Sequence, residues 1–129
     1  MGSAMIVGIG TDIVAVDRLG KLYERHGERA LEKLLAPTER ADFVASLNPA
    51  RFLAKRFAAK EAFGKALGIG VTAPATLSNL AIMHDDFGKP VFYYAQELSV
   101  YLAKRGWIAH LSISDEKDFA TAFVVIECV

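Results

Sequence analysis

The stretch NPARFLAKRFAAKEAFGKALG, Asn48 to Gly68, decides how this chain is read. Asn48 suits a helix N-cap, Pro49 the first helical position and Gly68 the C-terminal stop. The pattern predicts the longest helix of the sequence. At about 100° per residue, Phe52, Leu53, Phe57, Phe63 and Leu67 form an apolar arc. A helix built only for a core is polar opposite such an arc. Here Arg56 and Lys60 fall inside the arc, Glu61 sits at its edge, and Lys65 lies one turn beyond Glu61. Charges in those places are costly unless paired or bound to something. On the residues alone two readings stand. Either Glu61 and Lys65 form an i,i+4 ion pair while Arg56 and Lys60 snorkel, or the helix carries a binding site.

Working outward, 129 residues fit one domain, expected over 5–129, with a core large enough to need no staple. Fifteen Lys+Arg balance fifteen Asp+Glu. That argues against a general nucleic-acid binder, while leaving room for a local basic patch. Cys128 is the only cysteine, so there is no disulfide within the chain and no cysteine zinc cluster. A reducing, cytoplasmic setting is expected. No apolar run approaches the roughly 18 residues of a membrane span. Met1–Ala4 reads as an artificial leader, with Met5 the natural start.

Residues 5–16 read as a strand in which Gly8, Gly10 and Asp12 share a face with Ile6 and Val14. Glycine in a strand marks close approach of a ligand or another backbone. Asp12 is therefore expected beside open space, or else as the cap of the next helix. That helix spans 17–26 and stops at Gly27, with Arg18, Lys21 and Arg25 on one face and Arg29 just beyond. Such a face suits an acidic partner, diluted by Glu24 and Glu28. Short helices follow at 28–35 and at 39–47, the latter capped by Thr38. After the long helix come a turn at 68–70, a loop at 72–76, strands at 77–84 and 91–94 joined by a turn at 85–90, and a helix over 96–105. Strands at 107–114 and 119–129 close the chain. The last is apolar on both faces, which calls for cover on both sides and hints at a subunit interface. This order predicts an α+β fold, an antiparallel sheet packed against a long central helix.

Two stretches now stand out: GIGTDIV, Gly8 to Val14, and RFLAKRFAAKEAFGKALG, Arg51 to Gly68, which contains aromatic-x-x-Lys-Glu-Ala-x-x-Lys. They resemble the two signature motifs of the phosphopantetheinyl transferases, and most closely the small, single-domain holo-acyl-carrier-protein synthase type. Gly88-Lys89-Pro90 and His110 also fit at the expected places. The resemblance covers nearly the whole chain from Met5.

It implies the 4′-phosphopantetheinyl transferase fold and a reaction. The 4′-phosphopantetheine arm of coenzyme A passes to a serine of an apo acyl carrier protein, with Mg²⁺, releasing adenosine 3′,5′-bisphosphate. Asp12 and Glu61 would hold the metal. Larger relatives carry a second acid two positions after the aspartate, where this chain has Val14. Lys65 would hold the pyrophosphate. For Lys60, a phosphate contact and a structural pair both fit. Arg51, Lys55 and Arg56 are candidates for the nucleotide's 3′-phosphate, with Gly88, Lys89 and Pro90 also placed with coenzyme A. His110 would position a water or phosphate, from a neighbouring subunit. The general base stays open among a metal-bound water, Glu61 and His110. The small type is expected to be a homotrimer with sites between subunits. Its acidic carrier protein would dock on Arg18, Lys21, Arg25 and Arg29. Two other classes compete: a non-catalytic nucleotide binder, and a structural oligomer in which Glu61–Lys65 is an ion pair and Asp12 a cap.

Overall fold

The computed structural model describes residues 5–129; the reading of Met1–Ala4 as a leader lies outside the described residues. The chain runs β1 (Met5–Ala15), α1 (Val16–His26), α2 (Glu28–Leu34), a 3₁₀ turn (Pro37–Glu39), α3 (Arg40–Ala45) and α4 (Pro49–Leu67). A second 3₁₀ turn (Leu77–Asn79), β2 (Leu80–His84), β3 (Pro90–Tyr94), α5 (Gln96–Arg105), β4 (Trp107–Asp115) and β5 (Phe119–Cys128) follow. This is the expected α+β fold, with antiparallel sheets around a long helix. The strands form a three-stranded sheet in the order β1-β5-β4 and a separate β2-β3 hairpin.

The caps of α4 form as its sequence dictates. Asn48 Oδ1 accepts from the Arg51 N–H at 3.1 Å, Pro49 opens the helix, and Gly68 ends it at φ 83°. Two other boundaries differ from expectation. Thr38 does not cap α3. Instead Glu39 folds back from its 3₁₀ turn and accepts from the Ala36 N–H at 2.9 Å. Strand β2 starts at Leu80, because residues 77–79 coil into the second 3₁₀ turn.

The inner face of the large sheet packs on α4. Ala120, Ala122, Val124 and Ile126 of β5 are at most 2 % exposed against it. The glycines of β1 are explained by the helix and not by an open space. A Cβ on Gly8 would lie 1.9 Å from the Ala66 carbonyl oxygen, and one on Gly10 would lie 2.0 Å from that of Ala62. Strand and helix backbones therefore meet directly, which draws Asp12 against α4. The hairpin closes another side of the helix through Phe63, which packs edge-on to Phe92 at 5.1 Å between ring centroids.

The outer face of the same sheet is bare. Ile9 (62 %), Ile13 (64 %) and Phe123 (47 %) are exposed there. Register makes the face continuous: Ile9 pairs with Val125, which pairs with His110, and Thr11 pairs with Phe123, which pairs with Ser112.

Gly10→Ala is expected to lower unfolding stability by about 3 kcal/mol, because neither backbone can yield to the new methyl. Gly20→Ala, whose Cβ would meet only the Ala50 methyl at 3.1 Å, is expected to cost under about 1 kcal/mol. Denaturant titration separates the two.

Candidate active site

Asp12 and Lys65 meet across the β1–α4 seam. Lys65 Nζ donates to Asp12 Oδ1 at 3.1 Å and to the Thr11 carbonyl at 3.0 Å. The Glu61–Lys65 ion pair that spacing allows is not the one that forms; Lys65 turns to Asp12 instead. Asp12 is not a helix cap either, since Ala15 occupies the cap position of α1 and no side chain caps it. Glu61 stands at the same seam. Burial pushes its carboxyl above the usual carboxylate range, Asp12 pushes it further, and Lys65 and Arg18 offset part of the shift. Arg18 reaches in from α1, its guanidinium 5.3 Å from the Phe57 ring centroid.

Two carboxylates thus face two cations on three elements. Among the described residues no group of three or more His, Cys, Asp or Glu gathers. A cation here would be held by Asp12, Glu61 and oxygens from water or ligand. That donor set fits Mg²⁺, which takes one or two carboxylates plus phosphate oxygens, and does not fit a zinc site.

The remaining predicted residues fall into two other places. Arg51, Lys55 and Arg56 line a cavity of ≈ 340 Å³ together with Asp42, Asn48 and His84. Arg51 is already tied to the β4–β5 turn, donating to Asp115 Oδ2 (2.8 Å), Glu116 O (2.6 Å) and Lys117 O (3.0 Å). Lys55 Nζ is 3.9 Å from Asp115 Oδ1. Arg56 forms a wall of this cavity, not a free cation. It donates to the Ile82 carbonyl, lies 3.5 Å from Glu39 Oε2, and stacks 4.4 Å over Phe52.

Lys89, Pro90 and His110 line a larger cavity, ≈ 600 Å³, between β3, α5 and β4. Gly88 sits in the hairpin turn at φ 81°. His110 is on the outer face of the sheet, bonded to Glu127 at 2.8 Å. Asp12 is on the inner face, so His110 does not join Asp12 and Glu61 within one chain.

Lys60 corrects one expectation. It is 1 % exposed and takes three acceptors, Glu39 Oε1 (2.5 Å), Leu34 O (2.8 Å) and Leu77 O (2.8 Å). Burial pulls its pKa down to about 8, with Glu39 opposing. Buried and with all three protons on protein acceptors, it sits in a structural pair with Glu39 and presents no free donor. The partner, Glu39, was not singled out by sequence. The signal was indirect: two cations in an apolar arc require an acid, but nothing in the periodicity says which.

The basic face also divides. Arg18 belongs to the site edge, and Lys21 is paired with Asp17 at 2.9 Å. Arg25 remains exposed beside them, lining one shallow depression with Arg18, Lys21 and Leu22. Arg29 is exposed at the start of α2.

The chain is similar to known proteins along almost its whole length. The family model of the 4′-phosphopantetheinyl transferase superfamily matches residues 8–124. The holo-[acyl-carrier-protein] synthase of Aromatoleum aromaticum is 57 % identical over 123 residues, covering 95 % of this chain and 98 % of that protein. The crystal structure of the Neisseria meningitidis holo-[acyl-carrier-protein] synthase superimposes with a TM-score of 0.91 at 45 % identity, covering 95 % of this chain and 98 % of that one. The Bacillus anthracis enzyme, solved in complex with coenzyme A (3′,5′-ADP), superimposes with a TM-score of 0.82 at 35 % identity, covering 97 % and 99 %. With a strand-borne Asp12 set against Glu61 and Lys65, and with relatives matched along almost their whole length, the chain belongs to the 4′-phosphopantetheinyl transferase superfamily, among its holo-[acyl-carrier-protein] synthase enzymes.

Proposed function

We propose that the chain transfers the 4′-phosphopantetheine group of coenzyme A to a serine of an acidic apo acyl carrier protein, with Mg²⁺, releasing adenosine 3′,5′-bisphosphate in the cytoplasm. The observation that carries this reading is the meeting of Asp12, Glu61 and Lys65 at the β1–α4 seam. The complex of the Bacillus anthracis relative with coenzyme A supports the donor.

The chemistry accounts for the residue types. The serine Oγ gives its proton to a base, for which a metal-bound water, Glu61 and His110 are the candidates, and forms a bond to the β-phosphorus; the bond from that phosphorus to the bridging oxygen breaks, and the leaving bisphosphate keeps the electron pair. Bound Mg²⁺ would neutralise charge growing on the pyrophosphate. Asp12 and Glu61 would hold that ion. Lys65, exposed at the seam beside Asp12, would bind phosphate oxygens and stabilise the charge that develops there. Arg18 sits between the site and the outer helix face, where Arg25 and Arg29 attract an acidic carrier.

The homotrimer belongs to the same reading. Lys89, Pro90 and His110 lie away from Asp12 in one chain, and the sheet face carrying His110 is bare and exposes Ile9, Ile13 and Phe123. A second copy covering that face would bring the two halves of the site together.

Incubation with coenzyme A, Mg²⁺ and an apo carrier is expected to add one phosphopantetheine to the carrier mass. Asp12→Asn, folded by circular dichroism, is expected to lose turnover by at least ~100-fold. Arg25→Glu with Arg29→Glu is expected to raise the carrier KM about tenfold, leaving the coenzyme A KM unchanged. No mass shift with any carrier, or full turnover by Asp12→Asn, contradicts the transfer reading.

For the interface, light scattering is expected to give three times the chain mass. Ile13→Glu with Phe123→Glu is expected to give monomers that have lost turnover. A parent that is monomeric and fully active contradicts the shared site.

A further inference from the structure

The polar network on the far side of α4 takes no part in the proposed chemistry, yet it is the most deeply buried charge in the protein. Glu39, Lys60 and Arg56 are 0 %, 1 % and 5 % exposed. All three protons of Lys60 are used, on Leu34 O, Glu39 Oε1 and Leu77 O. Glu39 Oε1 also accepts from the Ala36 N–H, and Oε2 accepts from the Ile82 N–H at 3.1 Å. Arg56 donates to the carbonyl of that same Ile82. The end of α2, both 3₁₀ turns and β2 are thereby tied to one side of α4.

Stability alone is a poor reason for this arrangement. A buried ion pair often stabilises no better than apolar side chains of the same volume, because both charges lose their water. What it supplies is a single geometry. The rest of the α4 packing surface is apolar: Ala54, Ala58, Ala59, Ala62 and Ala66 are at most 6 % exposed, beside Leu53 and Phe63 at no more than 1 %. Apolar packing of the right volume secures a fold before it secures a unique one. Lys60 and Glu61 are adjacent, so their side chains leave the helix axis about 100° apart. Holding Lys60 therefore fixes the direction in which Glu61 points.

We propose that the Glu39–Lys60 pair, with Arg56, is a positioning device for the transfer site, setting the rotation and register of α4 so that Glu61 and Lys65 face Asp12. Lys60 touches no reacting atom; it acts through Glu61. The inference rests on the reading of Asp12, Glu61 and Lys65 as the transfer site.

The test is a double-mutant cycle of Lys60→Met and Glu61→Gln, read in turnover with a carrier and in coenzyme A affinity by calorimetry, at a temperature where each variant is folded. In the parent background Lys60→Met is expected to lower kcat and to weaken coenzyme A binding about tenfold each. In the Glu61→Gln background it is expected to change either by less than about twofold, the non-additivity of residues acting through one another. Leu98→Ala on α5, 0 % exposed and outside the network, controls for lost stability: its thermal midpoint is expected to fall with kcat unchanged. If Lys60→Met does not fold, Glu39→Gln carries the same cycle, since it keeps an acceptor for Lys60. Additive effects in the cycle, or parent-like kcat and affinity in the network variant, overturn the proposal. So does a loss of kcat that Leu98→Ala reproduces. A parent that binds coenzyme A but makes no product sinks the transfer reading, and the affinity cycle still decides the positioning claim. A parent that binds no coenzyme A overturns both.

Discussion

The seating of one helix between two strand glycines, Gly8 and Gly10, and the buried acid Glu39 governs this structure. On one side of α4, Gly8 and Gly10 let the β1 backbone approach the helix carbonyls. On the other, Lys60 and Arg56 reach Glu39 and the backbone of three separate segments. Each side has a clear physical penalty. A methyl at Gly10 has nowhere to go, and loss of one partner from a buried pair leaves an uncompensated charge, a cost of about 3–5 kcal/mol. Between these contacts the helix has one position, and in that position Lys65 falls on Asp12 with Glu61 beside it.

Function follows from what that position brings together and what it keeps apart. The inner face of the sheet gathers two carboxylates and two cations at one seam, a charge balance that suits a divalent cation with a pyrophosphate. The outer face exposes Ile9, Ile13 and Phe123 beside a polar half that carries His110. On the proposed reading, a single chain holds the metal-and-phosphate half of a site and, facing away from it, residues the family resemblance assigns to the same substrate. The proposed trimer explains both the separation and the bare face with one arrangement.

Much of this was legible in the sequence, and the exceptions share a cause. Caps and glycine stops are local signals, so the bounds of α4 could be read from Asn48, Pro49 and Gly68. The order of elements along the chain and the α+β class followed from periodicity. Asp12, Glu61 and Lys65 were legible because two motifs flagged them, although spacing alone favoured the wrong ion pair for Lys65. What periodicity does not carry is contact between distant segments. Glu39 lies in a single 3₁₀ turn with no period of its own, so the acid that Lys60 and Arg56 required stayed unidentified. The glycines of β1 left a ligand and another backbone both open, and the neighbour is a helix backbone. In the doubly apolar β5, Ala120, Ala122, Val124 and Ile126 are buried on α4 while Phe123 on the other face is left exposed; its cover by a second copy belongs to the proposed trimer.

The most direct measurement is calorimetric titration of coenzyme A with and without Mg²⁺, on the parent and on Asp12→Asn. Binding is expected to tighten by at least about tenfold when Mg²⁺ is present, and that gain is expected to vanish in the folded Asp12→Asn protein. Equal affinity with and without the ion in the parent, or a gain that survives loss of the Asp12 carboxylate, would contradict a metal-and-phosphate site at the seam of β1 and α4.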